Sequence, residues 1–249
     1  MKSLTGRVAV VTGGGSGLGR AMCQRFGQEG MHVVLADVMA DRVEQAAKEL
    51  TAEGLDVTGV QADVTSQESV NALRDATLAK YGAVHVVCNN AGIGAGAEGK
   101  LWEHEAADWK WAFAVNLWGV IHGIRAFVPR ILASGEEGHV VNTGSMASVM
   151  ALARLGPYTV AKHGVLGLSD VLRAEMVSLQ APVGVSVVMP GMIKTGMNPV
   201  GIVSSATVAA NVVDAIRRGR DYVFTDDHST DQVDERLRAI LAARRDVIG

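Results

Sequence analysis

Arg7-Val8-Ala9-Val10-Val11-Thr12-Gly13-Gly14-Gly15-Ser16-Gly17-Leu18-Gly19 is the stretch whose reading decides the fold. Its apolar, β-branched start reads as a strand buried on both faces, as in a parallel sheet. The glycines follow without a linker and open a helical stretch from Arg20 to about Glu29. A glycine-rich strand-to-helix turn lets backbone N–H groups approach a pyrophosphate at the positive end of a helix. Glycines at 13, 17 and 19 after Thr12 give G-x-x-x-G-x-G, not the commoner G-x-G-x-x-G of dinucleotide sites. An ordinary Gly-rich turn would satisfy the same local pattern.

Outward from this turn, strands and helices alternate along the chain. Strands are expected near 7–12, 32–37, 56–62, 84–89, 138–144, 183–189 and 221–225. Helices are expected near 17–29, 41–53, 67–81, 106–134, 157–180 and 205–219, with a last one over about 230–245. This is the spacing of an α/β doubly wound parallel sheet, whose strand carboxyl ends collect on one edge where ligands bind. The segments 13–19, 89–92, 142–145 and 190–195 all follow strands and converge there.

A second pattern lies in the carboxyl half. Tyr158-Thr159-Val160-Ala161-Lys162 places a phenol and an ammonium four residues apart, one helical turn, with Ser145 upstream. A phenol with an ordinary pKa of about 10 works as a base near neutrality only if its phenolate is stabilised, and a nearby cation does that. An exposed helix pair is the bland alternative.

The ordered set Thr12-Gly13…Gly17-x-Gly19, Asp63, Asn89-Asn90-Ala91-Gly92, Asn116, Ser145, Tyr158-x-x-x-Lys162 and Pro190-Gly191 resembles the short-chain dehydrogenase/reductase family over nearly the whole chain. The resemblance implies a single Rossmann-fold domain over 1–249. Residues 1–135 would mainly bind the dinucleotide and 136–249 would carry the catalytic and substrate segments. It implies Ser145, Tyr158, Lys162 and Asn116 as the catalytic set. Tyr158 would remove a proton, Ser145 orient the oxygen, and Lys162 lower the Tyr158 pKa and grip the nicotinamide ribose. Asn116 would kink the fourth helix and hold a water behind Lys162. Gly13, Gly15, Ser16, Gly17, Leu18 and Gly19 would cradle the pyrophosphate. Asp63 and Val64 would meet the adenine, although Asp-Val-Thr-Ser is also a good capping sequence. Asn90, Ala91 and Gly92 would form the ribose-side wall, or simply buttress a central strand. Pro190, Gly191, Ile193 and Thr195 would receive the nicotinamide.

Asp37, followed by Val38, ends the second strand about 20 residues after the glycine turn, where a carboxylate accepts both ribose hydroxyls of NAD. A 2′-phosphate would meet negative charge there, and Ser16 stands where NADP-preferring relatives often carry a base. NAD is therefore expected over NADP. An NADPH-dependent 3-ketoacyl-thioester reductase shares the catalytic set and is the principal alternative. A sugar-nucleotide epimerase would need a larger substrate domain, and a non-catalytic NAD-binding redox sensor would have little need of Ser145, Tyr158 and Lys162 in register.

Two positions depart from the family pattern around the serine. Asn142-Thr143-Gly144-Ser145 carries Gly144 where a serine is usual, and Ser148 stands where a glycine is common. Past Thr195, residues 196–204 are short for a substrate cover, and a helix is expected from Ser205. Met146, Met150, Met189, Met192 and Met197 suggest an adaptable apolar pocket for a hydrophobic, cyclic or aryl alcohol, or else core filler. Val115–Gly123 and Phe127–Arg130 look like family members that act on bulky hydrophobic or aryl alcohols. Trp102, Trp109, Trp111 and Trp118 read as helix packing or interface, and His122, His139 and His163 as structural.

Composition agrees with one sizeable core: 249 residues, 48% hydrophobic, with 23 Lys and Arg against 26 Asp and Glu for a net charge of −3. That balance offers nothing to nucleic acid or an anionic membrane. The expected partner is a small alcohol or ketone. No metal-ligand cluster stands out among the seven histidines. Cys23 and Cys88 read as reduced core thiols, and the start enters the first strand directly, so a cytoplasmic protein is expected, while the family resemblance implies a homodimer or homotetramer.

Overall fold

The computed structural model describes residues 1–94, 96, 98–194 and 201–248. In chain order the elements are β1 (Val8–Thr12), α1 (Gly17–Gln28), β2 (His32–Asp37), α2 (Ala40–Ala52), β3 (Val57–Gln61), α3 (Gln67–Tyr81), β4 (Val86–Asn89) and α4 (Ala106–Phe113). There follow α5 (Gly119–Ser134), β5 (Gly138–Thr143), α6 (Gly156–Ser178), β6 (Val183–Met189), β7 (Ile193–Lys194), β8 (Val203–Ser204), α7 (Ser205–Arg218), β9 (Tyr222–Phe224) and α8 (Thr230–Ile248). Seven strands pair in parallel in the order β3-β2-β1-β4-β5-β6-β9. This is the doubly wound, Rossmann-type sheet with helices on both faces. Chain order changes direction between β1 and β4, and the cleft of such a sheet opens at the carboxyl ends there.

Alternation along each strand divides the core in two. Ala9, Val11, Val33, Leu35, Val86, Cys88 and Val141 face α1, α2 and α7, where Met22, Phe26, Leu50, Val212 and Ile216 complete the packing. Val10, Val34, Val87, Val140 and Val185 face α3, α5 and α6, meeting Leu73, Phe127, Ile131, Leu172 and Met176. Burial on both faces explains why these strands are so largely apolar. Cys23 and Cys88 are free, buried thiols whose pKa values burial raises.

The stretch expected as one helix over 106–134 is interrupted. A π turn over Ala114–Trp118 separates α4 from α5. By length and composition alone Ala106–Ser134 would suffice to cross a membrane, yet more than half of its most apolar window is buried inside the protein. It is a core helix pair. The β7–β8 ladder, two residues a side, also escaped the sequence reading. Helix α7 starts as expected, with Ser204 accepting a hydrogen bond from the Thr207 N–H at 3.1 Å.

His139 on β5 is buried and contacts Ser186, whose hydroxyl donates to the Arg220 carbonyl at 2.6 Å. The ring therefore donates from Nε2 to Ser186 Oγ, at 2.7 Å, and stays neutral. Burial holds its pKa down at about 3 from 6.5. The unfolded chain takes up a proton below about 6.5 that the native state refuses until about 3. Stability should thus fall as pH drops through that window. In urea titrations between pH 7 and 5, His139→Leu should flatten this loss; an unchanged slope would remove His139 as its source.

Candidate active site

The glycine turn is shaped by contacts that admit no side chain. Gly13 and Gly17 have φ of +66° and +53°, the left-handed region. A Cβ on Gly19 would stand 2.1 Å from the Gly13 carbonyl oxygen and 2.7 Å from Asn90 Nδ2. Backbone can therefore lie bare against a ligand at the start of α1. The Gly14 N–H bonds the Ala36 carbonyl at 2.8 Å, and the Gly15 N–H bonds Asp37 Oδ2 at 3.1 Å. Asp37 Oδ1 accepts from the Met39 N–H at 3.1 Å, so two amides fix the carboxylate at the end of β2.

Across the switch point, Thr12 Oγ1 accepts from the N–H groups of Asn90 and Ala91 at 3.0 and 3.1 Å. The Asn90 side chain donates to the Thr12 carbonyl and accepts from Thr143 Oγ1. It therefore clamps the ends of β1, β4 and β5. Asp63 Oδ1 is occupied by the Thr65 N–H and hydroxyl, both at 2.8 Å, while Ser66 caps α3. Of the two readings of Asp63, the structural one accounts for this oxygen.

These elements wall a cleft of about 680 Å³, within the range of small-molecule and cofactor sites. Gly13, Ser16, Gly17, Leu18, Gly19, Asp37, Val38, Asp63, Val64, Asn90, Ala91 and Gly92 line one part of it. Ser145, Tyr158, Lys162, Pro190, Gly191 and Ile193 line the other. Gly15 acts from behind through Asp37, and Thr195 and Met197 lie outside the described residues.

Tyr158 and Lys162 follow Pro157 in the first turns of α6, a turn apart on one face. Lys162 Nζ is 5.7 Å from the Tyr158 ring centroid and donates to the Thr143 carbonyl at 2.9 Å. Asn116 sits in the π turn, fully buried, and its Oδ1 accepts from the Ile93 N–H at 3.0 Å. A Cβ on Gly92 would come within 3.0 Å of Asn116 Oδ1 and 3.8 Å of Lys162 Nζ, so glycine lets these groups gather. The Asn116 amide nitrogen is buried without an acceptor.

In the protein alone, burial shifts the two groups in opposite directions. Burial raises the Tyr158 pKa, and the Ser145 hydroxyl draws it only part of the way back. Burial also brings the Lys162 ammonium down to about 8 from 10.5, so it still carries its charge near neutral pH. Positive charge added to the cleft would draw the phenol down toward its phenolate and press the ammonium further down. The buried ammonium also costs stability below about pH 8, a cost that fades as pH rises toward 10.5. Lys162→Met should therefore raise the unfolding free energy at pH 7 by about 1–3 kcal/mol, the gain shrinking by pH 10. A destabilised variant at pH 7 in urea titration would contradict this.

Other features fall outside the sequence reading. Thr143 serves Lys162 through its carbonyl, which any residue would supply. Val115, Met39, Arg42 and Trp111 also line the cleft. Trp111, 58% exposed, is therefore a wall residue, whereas Trp109 packs edge-on to Phe113 and Trp118 against His122. Met146 and Met189 are core filler beside Val165 and Val187, while Met192 is exposed and Met150 half-buried. His122 bonds the Val64 carbonyl and His163 the Thr159 carbonyl, so both are structural. No group of three potential metal ligands occurs among the described residues.

Residues 7–200 match the family model for short chain dehydrogenases. The chain is 38% identical over 227 residues to the 1-deoxy-11-beta-hydroxypentalenate dehydrogenase of Streptomyces avermitilis, covering 87% of this chain and 83% of that one. It is 36% identical over 197 residues to a C alpha-dehydrogenase of a Sphingobium species, covering 79% of this chain and 64% of that one. The crystal structure of a short-chain dehydrogenase/reductase from Burkholderia phymatum in complex with NAD superposes with a TM-score of 0.93 at 34% identity, covering 98% of this chain and 97% of that one. The chain belongs to the short-chain dehydrogenase/reductase family of oxidoreductases, which use a nicotinamide cofactor. The bare glycine turn and the cleft beside it fit such a dinucleotide.

Proposed function

We propose that this protein is an NAD-dependent dehydrogenase that interconverts a secondary alcohol and its ketone. The observation carrying the proposal is the gathering of Ser145, Tyr158 and Lys162 at the end of a cleft whose other end carries Asp37. Gly13 to Gly19 would hold the pyrophosphate, Asp37 the adenosine ribose, Asp63 Oδ2 and Val64 the adenine, and Pro190, Gly191, Ile193 and Thr195 the nicotinamide. When bound, the cofactor supplies the hydride acceptor.

The chain's own residues handle the proton. Tyr158 takes it from the substrate hydroxyl as the carbinol C–H bond breaks, and returns it in the reverse direction. Ser145 donates a hydrogen bond to the substrate oxygen, which carries growing charge between alkoxide and carbonyl. Lys162 sets the local potential and holds the ribose. The free amide nitrogen of Asn116 is suited to hold a water that relays protons behind it.

A hydrophobic, cyclic or aryl substrate suits exposed Met192, which stands between the lining residues Gly191 and Ile193, and exposed Ile202, whose N–H bonds the Met192 carbonyl. The relatives named for a pentalenate and for a C alpha position agree with bulky substrates. A cytoplasmic homodimer or homotetramer is part of the reading: Trp118 on the π turn and Val160 and Val171 on α6 are exposed, as pairing of these helices across a two-fold axis requires. An alcohol deuterated at the carbinol carbon tests the reaction. Deuterium should appear in the reduced cofactor, with a primary isotope effect. Its loss to water would exclude direct transfer.

A further inference from the structure

The two departures around Ser145 meet in space. Ser148 is fully buried, and its Oγ accepts from the Ser145 N–H at 3.2 Å. The Ser148 N–H in turn donates to the Ser145 carbonyl at 2.8 Å, closing a reciprocal clasp around the turn Met146–Ser148. Ser145 Oγ accepts from the Ala147 N–H at 3.1 Å, which leaves its own proton to point elsewhere. A Cβ on Gly144 would lie 2.7 Å from Ser148 Oγ, 3.2 Å from Val187 Cγ2 and 3.3 Å from the Val188 carbonyl oxygen. The backbone has no freedom to retreat, because the Gly144 N–H is bonded to that carbonyl at 2.8 Å.

From this geometry we infer that Ser148 is a positioning residue for Ser145, and that Gly144 is its obligatory partner. The Ser148 hydroxyl anchors the Ser145 main chain in its extended conformation, φ −170° and ψ 167°, so that the Ser145 hydroxyl faces Tyr158 and the substrate oxygen. It occupies the space that a side chain at 144 would need. The two positions are therefore coupled: one hydroxyl fits between them, from either side, and two do not. The inference rests on the proposed role of Ser145, and the experiment separates the two.

Steady-state rates over pH 6–10 would be measured for Ser148→Ala, Gly144→Ser, the double variant Gly144→Ser/Ser148→Gly, and Ser145→Ala as reference. Loss of one positioning hydrogen bond should lower kcat about 3–10-fold in Ser148→Ala. KM and NAD+ affinity should stay within about twofold of the native protein. The acid limb of the profile should move to higher pH, since a misdirected Ser145 supports the Tyr158 phenolate less. A merely structural role would not move that limb. Gly144→Ser alone should lose about tenfold or more, and the double variant should recover most of it. Native kcat and an unmoved limb in Ser148→Ala, or a double variant no better than Gly144→Ser alone, would overturn the inference. If Gly144→Ser does not fold, Ser148→Ala decides alone. Full activity in Ser145→Ala would instead overturn the role of Ser145.

Discussion

Tyr158→Phe is expected to lower kcat by about 10²–10⁴-fold, the range a positioned general base contributes. NAD+ affinity, read by titration, should stay within about twofold, because the substitution removes one oxygen and leaves the ring beside Lys162. The effect follows from isolation of the site. Tyr158 is the one phenol in the cleft; Tyr81 bonds Asp56 and Tyr222 bonds Asp170, both on other surfaces. The opposing directions at Tyr158 and Lys162 sharpen the expectation. With the phenol pushed up and the ammonium pushed down by burial, the base is weakly ionised in the free protein. Positive charge added beside it favours the phenolate, so the acid limb of kcat should lie below that of phenol ionisation in the free protein. A Tyr158→Phe variant with undiminished turnover would mean that another group moves the proton.

Asp37→Ser should reverse cofactor preference. The Asp37 carboxylate is held by the Gly15 and Met39 amides, which leaves its remaining lone pairs for the ribose hydroxyls. Charged hydrogen bonds of this kind contribute about 1.5–3 kcal/mol, so kcat/KM for NAD+ should fall about 10–100-fold. Removing the charge also ends its repulsion of a 2′-phosphate and leaves Arg42 on the same wall unopposed by it. The NAD+/NADP+ ratio should therefore change by about 10²–10³-fold or more. A serine still offers one acceptor to the amides, so Tm should move little. An unchanged ratio would place the discrimination elsewhere.

Much of this molecule was legible because its signals are local. β1, β2, β4 and β6 announce themselves through apolar runs, since both faces are covered. Asp37 and the glycines are readable because a strand end and a tight turn restrict the residue types that fit. What was missed depends on contacts distant in sequence. The π turn at Asn116 goes with a bond that its side chain makes to Ile93, 23 residues away. The β7–β8 ladder is too short to leave a periodic pattern. Trp111 lies on a short helix rich in tryptophan, and no spacing rule tells a wall of the cleft from a face packed on a neighbour. The Thr143 carbonyl carries no side-chain signal. The upward shift at Tyr158 in the free protein reflects burial, which a Tyr-x-x-x-Lys spacing does not reveal.

The most direct measurement is steady-state turnover of the purified protein with NAD+ and with NADP+, against secondary alcohols from small aliphatic to cyclic and aryl, beside Tyr158→Phe. The account predicts NAD+-dependent oxidation, strongest on the bulky hydrophobic alcohols and lost in the variant. Preference for NADP+, or turnover that survives Tyr158→Phe, would contradict it.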